Sequence, residues 1–257
     1  MHAHIVLAHP EPRSFNAHLG KIASLSLQAQ GWTTSVSDLH ANDFDPCERR
    51  EHYGLLPSQR FDVQAEQRRA SDEAKIPAEV RHEIASLDRA DLLILQYPMW
   101  WHLPPAMMKG WMDRVLIYGE VYASQKRFEK GRFLGKRAMI LVTVATGSET
   151  YDFNGRSGDI DLLLWPVHFS LAYVGFTVLE PFIAYGVESG LRYSDDSVLQ
   201  SRLEKVASDL GDALAVLNKR PNIPFNRMAE WGGDGRIVPS AQVHSPFIRH
   251  RRHLQLT

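Results

Sequence analysis

The sequence has only one cysteine, Cys47, among its 257 residues. A single thiol cannot form a disulfide within the chain, which excludes the disulfide-rich secreted class and favours a reducing compartment. The N-terminal stretch MHAHIVLAHPEP also has neither the charged start nor the small-residue cleavage site of a secretory signal peptide. We therefore expect a cytoplasmic protein.

Charge excess and long apolar runs are absent too. The 29 Lys and Arg residues nearly balance the 30 Asp and Glu residues, which gives a formal net charge of -1. That balance provides no electrostatic attraction to nucleic acid or to an anionic membrane. No run approaches the ~20 apolar residues that a membrane-spanning helix needs. We expect neither a nucleic-acid partner nor a membrane span.

The glycine-rich phosphate-binding motifs are also missing. Neither G-x-G-x-x-G nor G-x-x-x-x-G-K-[ST] occurs, and residues 131–136 (GRFLGK) are one residue short of the second motif and precede a predicted strand. Metal-binding spacings are no stronger, because His2 and His4 have no evident further ligands. We predict no metal site, and any nucleotide must be bound without these motifs.

Apolar runs of strand length alternate with helical patterns along the chain. The run at residues 92–95 is continuously apolar, which is typical of a strand buried on both faces of a parallel sheet. We predict strands at residues 4–8, 32–36, 92–95, 138–143 and 176–185. We predict helices from Ser14 or Asn16 to Gly31 and at residues 78–87, 106–115, 160–174 and 197–219, with Pro166 kinking or ending the fourth helix. This alternation predicts an α/β fold, a doubly wound five-stranded parallel sheet with strand order 2-1-3-4-5.

Two segments do not fit the alternation. Residues 40–77 are polar and irregular, and they are too long for a routine connection, which favours a functional role. Beyond Pro221 the sequence is rich in Pro, Gly, Arg and His and shows no periodicity. We predict one α/β domain at residues 1–220 and an irregular C-terminal extension at residues 221–257, packed on the surface or on a partner subunit.

The first candidate ligand contacts follow the first predicted strand. Ligands of open α/β sheets bind at the carboxyl ends of the strands. The N–H groups of a helix N-terminus bind anions there, and Ser14 would add a hydroxyl and His9 a further donor. The backbone N–H groups of Phe15 and Asn16 would face the same point. The alternative is that Ser14 and Asn16 only cap the helix.

An aromatic loop follows the third predicted strand. It contains the adjacent residues Trp100 and Trp101 and is closed by two prolines. Flat aromatic walls at this edge of a sheet suit a flat ligand. The alternative is that both indoles fill the gap between helix and sheet, as aromatic clusters usually do.

The loop after the fourth predicted strand offers small polar residues and a phenol. Thr146, Gly147 and Ser148 supply donors for the edge of a planar heterocycle, and Tyr151 can donate to a developing negative charge. Taken singly, Tyr151 is more often a packing residue. Phosphate donors, aromatic walls and a polar edge at one rim of the sheet together predict a flavin site.

Three stretches of the sequence resemble the flavodoxin-like NAD(P)H quinone oxidoreductases. They are AHPEPRSFNAHL, QYPMWWHLPPAMMKGWMDRV, and TVATGSETYDFNGRSGDIDLLLWPV followed by VGFTVLEP, in register and in order over about residues 3–185. The resemblance implies a flavodoxin-like fold and a homodimer with a flavin at the subunit interface. It further implies hydride transfer from NAD(P)H to flavin N5, followed by two-electron reduction of a quinone in the same slot.

The resemblance also implies roles for individual residues. Tyr151 matches the family's catalytic tyrosine, and Asp62 and Asp113 fall where polar or acidic contacts to the cofactor are expected. The remaining cofactor contacts are those of the pyrophosphate and ribityl chain (His9, Ser14, Phe15, Asn16), the isoalloxazine (Pro98, Met99, Trp100, Trp101, His102) and its edge, largely through backbone (Thr143, Val144, Ala145, Thr146).

The chain departs from the family pattern at several positions. Mammalian-type members place a histidine six residues after the tyrosine, whereas this chain has Ser157, which cannot take a proton at neutral pH. Tyr151 then acts alone, or with Arg156, or the charge is compensated otherwise. Ala145 and Thr146 replace glycines and His102 replaces an aromatic residue, so we extend the substrate to quinones or similar acceptors.

The sequence leaves open which flavin is bound and whether the protein is catalytic. The segment at residues 40–77 would supply a wall for an adenine, which favours FAD, whereas the basic fold binds FMN without such a segment. The alternative function is a non-catalytic flavoprotein, either an electron carrier or a redox-sensing subunit of a transporter.

Overall fold

The computed structural model describes residues 1–56, 58–188 and 194–250. The strands and helices alternate along the chain, as the apolar runs predict. The strands are β1 (His2–Leu7), β2 (Thr33–Asp38), β3 (Leu92–Pro98), β4 (Arg137–Thr143), β5 (Thr177–Val178) and β6 (Phe182–Ala184). The helices are α1 (Phe15–Ala29), α2 (Val63–Asp72), α3 (Ala78–Arg89), α4 (Ala106–Val115), α5 (Ile160–Tyr173) and α6 (Asp196–Ala215).

The strands form one parallel sheet in the order β2-β1-β3-β4-β5, which confirms the predicted order. All seven residues of β3 are buried, as expected for a central strand with helices on both faces. Two apolar clusters cover the two faces of the sheet, one under α3, α4 and α5 and the other under α1 and α6. The carboxyl ends of β1, β3 and β4 therefore share one edge.

The prediction of a single fifth strand at residues 176–185 is wrong. Both β5 and β6 pair with β4, and the backbone leaves the sheet between them. The N–H of Glu180 donates instead to the carbonyl of Pro221, at 3.0 Å, and Pro181 has no N–H to offer. The C-terminal segment thus takes hydrogen bonds that would otherwise continue the strand.

The prediction that residues 40–77 are irregular is wrong in part. This segment contains α2 and a 3-10 turn at Arg50–Tyr53. Helix α2 buries only Gln67 and Ala70, so its sequence has no apolar periodicity to indicate a helix. A hydrogen bond from the N–H of Ala65 to the carboxylate of Asp62 caps its N-terminus at 3.1 Å.

Helix α5 does not end at Pro166. It runs without interruption from Ile160 to Tyr173, and the hydroxyl of Ser170 donates to the carbonyl of Pro166 at 2.8 Å. Apolar residues on both sides of the proline, Leu164 and Val167, are buried in the core. Their packing offsets the backbone hydrogen bond that a proline removes from a helix interior.

The described part of the C-terminal extension contacts its own chain. The N–H of Ile223 donates to the carbonyl of Val178 at 2.8 Å, and the ring of Phe247 stacks on Trp165 with centroids 4.7 Å apart. Residues 251–257 lie outside the described residues, and the domain division at residue 220 stays a prediction. Within the described parts of the chain, no helix combines the length and apolar character needed to cross a membrane.

Candidate active site

The loop between β1 and α1 presents donors for an anion. Ser14 caps α1, because its hydroxyl accepts from the N–H of Ala17 at 3.1 Å, and its carbonyl accepts from the N–H of His18. The N–H groups of Phe15 and Asn16, earlier in the same turn, have no intrahelical acceptor. The capping alternative is thus confirmed for Ser14, and it leaves two backbone donors available at the positive end of the helix dipole.

His9 is held beside this turn through the Nδ1 atom of its ring. Its Nδ1 lies 3.0 Å from the backbone nitrogen of Glu11 and 3.2 Å from the carbonyl oxygen of the same residue, so it accepts from the first or donates to the second according to the tautomer. Partial burial lowers the pKa of His9, with hydrogen bonding to Glu11 acting in the opposite direction. The ring also meets the indole of Trp100 edge-on, with centroids 6.1 Å apart, so the first loop contacts the aromatic loop.

The two tryptophans lie in a tight turn that faces solvent. Trp100 and Leu103 exchange two backbone hydrogen bonds of 3.0 Å, and φ is positive at both central residues, Trp101 (51°) and His102 (63°). This is the geometry of a type I′ turn, which favours Asn and Gly. Trp101 is 93% exposed and Trp100 46% exposed, so the interpretation that both indoles fill the gap between helix and sheet is wrong.

Replacing His102 by glycine is expected to raise the free energy of unfolding by about 1 kcal/mol, because glycine adopts positive φ without strain. Urea denaturation of the purified variant measures this difference. Leu103→Gly, outside the positive-φ positions, is expected to lower stability instead. Equal destabilisation by both changes would contradict the turn geometry.

The end of β4 is joined to the first loop through side chains. Asn16 Nδ2 donates to Thr143 Oγ1 at 2.5 Å, and Gln96 Nε2 donates to Asn16 Oδ1 at 2.6 Å. The N–H of Met99 donates to the carbonyl of Thr143 at 2.9 Å, which also fixes the aromatic loop. The three loops predicted to form one site therefore start from one hydrogen-bonded cluster.

The four residues predicted to contact the isoalloxazine edge differ in their accessibility. Val144 is buried; its N–H donates to the carbonyl of Ala184, the last residue of β6, and its carbonyl accepts from the N–H of Val187. Ala145 is exposed and Thr146 half-buried, and both line a cavity of about 550 Å³ that continues along the loop to Tyr185 and Arg202. Small-molecule sites typically have volumes of this order. The backbone at Ala145 is thus the open part of this edge.

Tyr151 ends a 3-10 turn in this loop and is half-buried. Its ring lies beside that of Tyr185, with centroids 6.2 Å apart. Burial raises the pKa of Tyr185, and the nearby Asp161, Tyr151 and Asp152 raise it further, so this second phenol stays protonated. Ser157, at the position of the family's histidine, donates its backbone N–H to the carbonyl of Thr150 at 2.8 Å.

The two predicted acidic contacts lie elsewhere on the chain. Asp62 is exposed and caps α2, as described above. Asp113 pairs with Lys109 at 2.5 Å and lines a separate cavity of about 580 Å³ between α2, α4 and α5. The aromatic residues of that cavity are Tyr122, Phe169 and Tyr173. A contact of Asp62 or Asp113 with the cofactor stays a prediction.

Comparison with known proteins agrees with this geometry. A family model described as "Flavodoxin-like fold" matches residues 1–210. NAD(P)H dehydrogenase (quinone) 1 of Cavia porcellus is 37% identical over 186 residues, which cover 71% of this chain and 68% of that protein. The Mus musculus ribosyldihydronicotinamide dehydrogenase (quinone) is 35% identical over 207 residues, or 79% and 90% of the two chains. The chain belongs to the flavodoxin-like NAD(P)H quinone oxidoreductase family.

A solved member of similar shape extends the agreement to the C-terminal region. The crystal structure of a putative quinone reductase from Klebsiella pneumoniae matches with a TM-score of 0.80 at 33% identity. The match covers 93% of this chain and 92% of that one, so it reaches beyond residue 210, where the family model ends. The predicted resemblance to flavodoxin-like quinone oxidoreductases is confirmed.

The donors and spaces at the rim of the sheet fit the flavin that this family uses. The free N–H groups of Phe15 and Asn16 suit a phosphate, and the exposed indole of Trp101 suits a planar ring system.

Two residues of the site were not found from the sequence. The predicted strand at residues 92–95 stops before Gln96, yet Gln96 is a fully buried part of β3. Tyr185 was placed only as the end of a predicted strand. For Gln96 a signal existed, because a polar residue at the carboxyl end of a buried strand points to the ligand-binding edge.

Proposed function

We propose that the protein is a flavin-dependent NAD(P)H oxidoreductase that reduces quinones or similar acceptors. The observation that carries the proposal is the convergence of three loops, where an anion-binding helix N-terminus, an exposed indole platform and a half-buried phenol lie at one edge of the sheet. Relatives named as quinone dehydrogenases, at 35–37% identity over most of the chain, support the same reaction.

A flavin bound here would supply the redox chemistry, which is the transfer of a hydride from NAD(P)H and then of two electrons to the acceptor in a ping-pong cycle. The chain binds and orients it. The first turn of α1 and the imidazole of His9 would hold the phosphate, and Trp100 and Trp101 would provide the stacking surface. The phenol of Tyr151, beside the protonated Tyr185, donates a hydrogen bond where negative charge develops.

We further propose FAD as the flavin and a homodimer as the working form. The segment that contains α2 adds chain beyond the basic fold, which supports a place for an adenine. Asp113 and the aromatic residues Phe169 and Tyr173 line an open cavity, and a second subunit covering it would bring Asp62 and Asp113 to the cofactor of the other copy. We place the protein in the cytoplasm because its single cysteine, Cys47, is exposed and free.

The purified protein tests these proposals directly. We expect a flavin absorption spectrum, FAD on chromatography of the released cofactor, and a mass twice the 29.2 kDa of one chain. Steady-state oxidation of NADH or NADPH by benzoquinone should give parallel double-reciprocal lines, as ping-pong kinetics require. Flavin that is bleached by NAD(P)H without turnover would favour the non-catalytic flavoprotein. A protein that stays colourless when incubated with FMN and with FAD would exclude both the oxidoreductase and the non-catalytic flavoprotein.

Replacing Tyr151 by phenylalanine is expected to lower turnover about tenfold, because the variant loses a hydrogen-bond donor to developing charge. Bound flavin should change little, since the ring still packs beside Tyr185. Turnover under saturating substrate and the flavin-to-protein ratio measure the two effects. Tyr118→Phe, which removes a phenol elsewhere, is the control, and loss of flavin in Tyr151→Phe would make this tyrosine structural.

A further inference from the structure

A buried chain of hydrogen bonds links three elements at the rim of the sheet. Gln96 of β3 donates to Asn16 of α1, which donates to Thr143 of β4, at 2.6 and 2.5 Å. Their exposed fractions are 0%, 3% and 4%. Polar groups buried this deeply are costly unless they are hydrogen-bonded, so the direction of each bond decides which atoms stay unsatisfied.

The observed direction of the hydrogen bonds leaves the less costly set of buried polar atoms without a partner. Gln96 Oε1 is a buried acceptor without a partner among the described residues. The second hydrogen of the Gln96 amide has no acceptor among the described residues either, so the observed direction leaves one oxygen and one hydrogen of this side chain unpaired. In the reverse direction Thr143 would donate to Asn16 and Asn16 to Gln96, which would leave both hydrogens of the Gln96 amide unpaired. Unpaired buried N–H groups are rarer in proteins than under-satisfied carbonyl oxygens. Hydrogen bonds are therefore donated in the direction from Gln96 through Asn16 to Thr143.

This direction leaves one donor at its far end. Thr143 Oγ1 already accepts from Asn16, so its own hydrogen is free to be donated, and no described residue accepts it. Thr143 is the last residue of β4, next to the open backbone at Ala145. The geometry points to the Thr143 hydroxyl as a side-chain donor to an acceptor atom of the flavin ring, with Asn16 and Gln96 as positioning residues that fix its direction.

Gln96 also holds the first loop through its backbone. Its carbonyl accepts from the N–H of Ala8 at 3.0 Å, while its side chain holds Asn16. Both ends of the predicted phosphate-binding loop are therefore attached to one fully buried residue. This inference rests on the proposed function and adds a side-chain contact to the backbone contacts predicted at Thr143.

Flavin affinity of the apoprotein tests the inference, measured by quenching of FMN and FAD fluorescence. Thr143→Val keeps the shape and removes the hydroxyl, and we expect the dissociation constant to rise about fivefold, as for loss of one hydrogen bond. Thr143→Ser should restore most of the affinity. Gln96→Met frees Asn16 to rotate, so in its background Thr143→Val should cost less than about twofold.

Gln28→Met is the control, because it places the same side chain at a glutamine near the other end of α1, where the amide donates to Thr34 Oγ1 at 2.6 Å. In that background Thr143→Val should still cost about fivefold. The reduction potential of bound flavin gives a second measurement, since a lost donor destabilises the electron-rich reduced form. Thr143→Val and Gln96→Met should both lower it, whereas Gln28→Met should not.

Additive effects of Gln96→Met and Thr143→Val would overturn the inference, as would wild-type affinity in Thr143→Val. Thermal melting of each apoprotein checks folding, and if Gln96→Met does not fold, Asn16→Ala breaks the same chain and must reduce the Thr143→Val effect equally. A wild-type protein that binds flavin and reduces benzoquinone, but is insensitive at Thr143, contradicts only this inference. A wild-type protein that binds no flavin contradicts the proposed function.

Discussion

Replacing Gly131 by alanine is expected to lower the free energy of unfolding by about 3 kcal/mol or more, because the added Cβ meets backbone that cannot move. The Cβ would lie 2.4 Å from the carbonyl oxygen of Val174 and 2.5 Å from the nitrogen of Gly175. That carbonyl accepts from the N–H of Phe133 at 3.1 Å. The ring of Phe133 is fully buried and stacks on Phe176, with centroids 4.6 Å apart.

Two other glycines separate the clash from general effects of the substitution. Gly233 has open space and no positive φ, so Gly233→Ala should change the free energy of unfolding by less than about 0.5 kcal/mol. Gly135 also has open space but a φ of +82°, so Gly135→Ala should cost only about 1 kcal/mol through backbone strain. Guanidinium chloride denaturation measures all three variants. If Gly131→Ala lowers the free energy of unfolding no more than Gly135→Ala does, the backbone at Gly131 does not lie as close to Val174 as described.

The parts of the fold that depend on local burial were predictable. Residues 92–95 and 138–143 are apolar without interruption because strands β3 and β4 are buried on both faces. Helix α2 was missed because packing barely shapes its sequence. The break between β5 and β6 could not be foreseen, since it depends on Pro221 meeting Glu180 across the edge of the sheet.

The candidate site likewise contains residues that local sequence signals predict and residues whose role depends on partners distant in sequence. The helix N-terminus at Ser14 and the aromatic loop at Trp100 and Trp101 were predicted, because strand ends and helix caps have local signals. The role of Gln96 depends on Asn16, which is 80 residues away in sequence. Such a partner is visible only once the sheet order places α1 beside β3.

A second network of buried hydrogen bonds lies on the opposite face of the sheet, under α3, and centres on Glu83. One carboxylate oxygen accepts from the hydroxyl of Ser37 at 2.7 Å, and the other accepts from Trp111 Nε1 at 2.8 Å. His4 Nε2 lies 3.9 Å from the same oxygen as Trp111. Glu83 is 4% exposed, so it joins β1, β2, α3 and α4 within the core. Helix α4 follows directly after the aromatic loop, which makes this network part of the support of the site.

The hydrogen bonds of this network decide the ionisation of Glu83. Burial by itself raises the pKa of the carboxyl, but the nearby imidazole of His4 and the hydrogen bonds from Ser37 and Trp111 outweigh it and hold the pKa below its usual value. A lowered folded-state pKa contributes stability that is complete above the unfolded pKa, about 4.3 for glutamate. That stability is lost as the pH falls through the folded-state pKa.

Glu83→Leu is therefore expected to lower the free energy of unfolding by about 3 kcal/mol at pH 7, because the hydroxyl of Ser37 and the indole N–H of Trp111 lose their acceptor in the core. Glu83→Gln keeps one acceptor and should cost about half as much. Urea denaturation at pH 6 and pH 3.5 checks the linkage: the wild-type protein should lose more stability between these values than Glu83→Leu, which has no carboxylate to protonate. Equal losses in the two proteins would mean that Glu83 is not held ionised by Ser37 and Trp111.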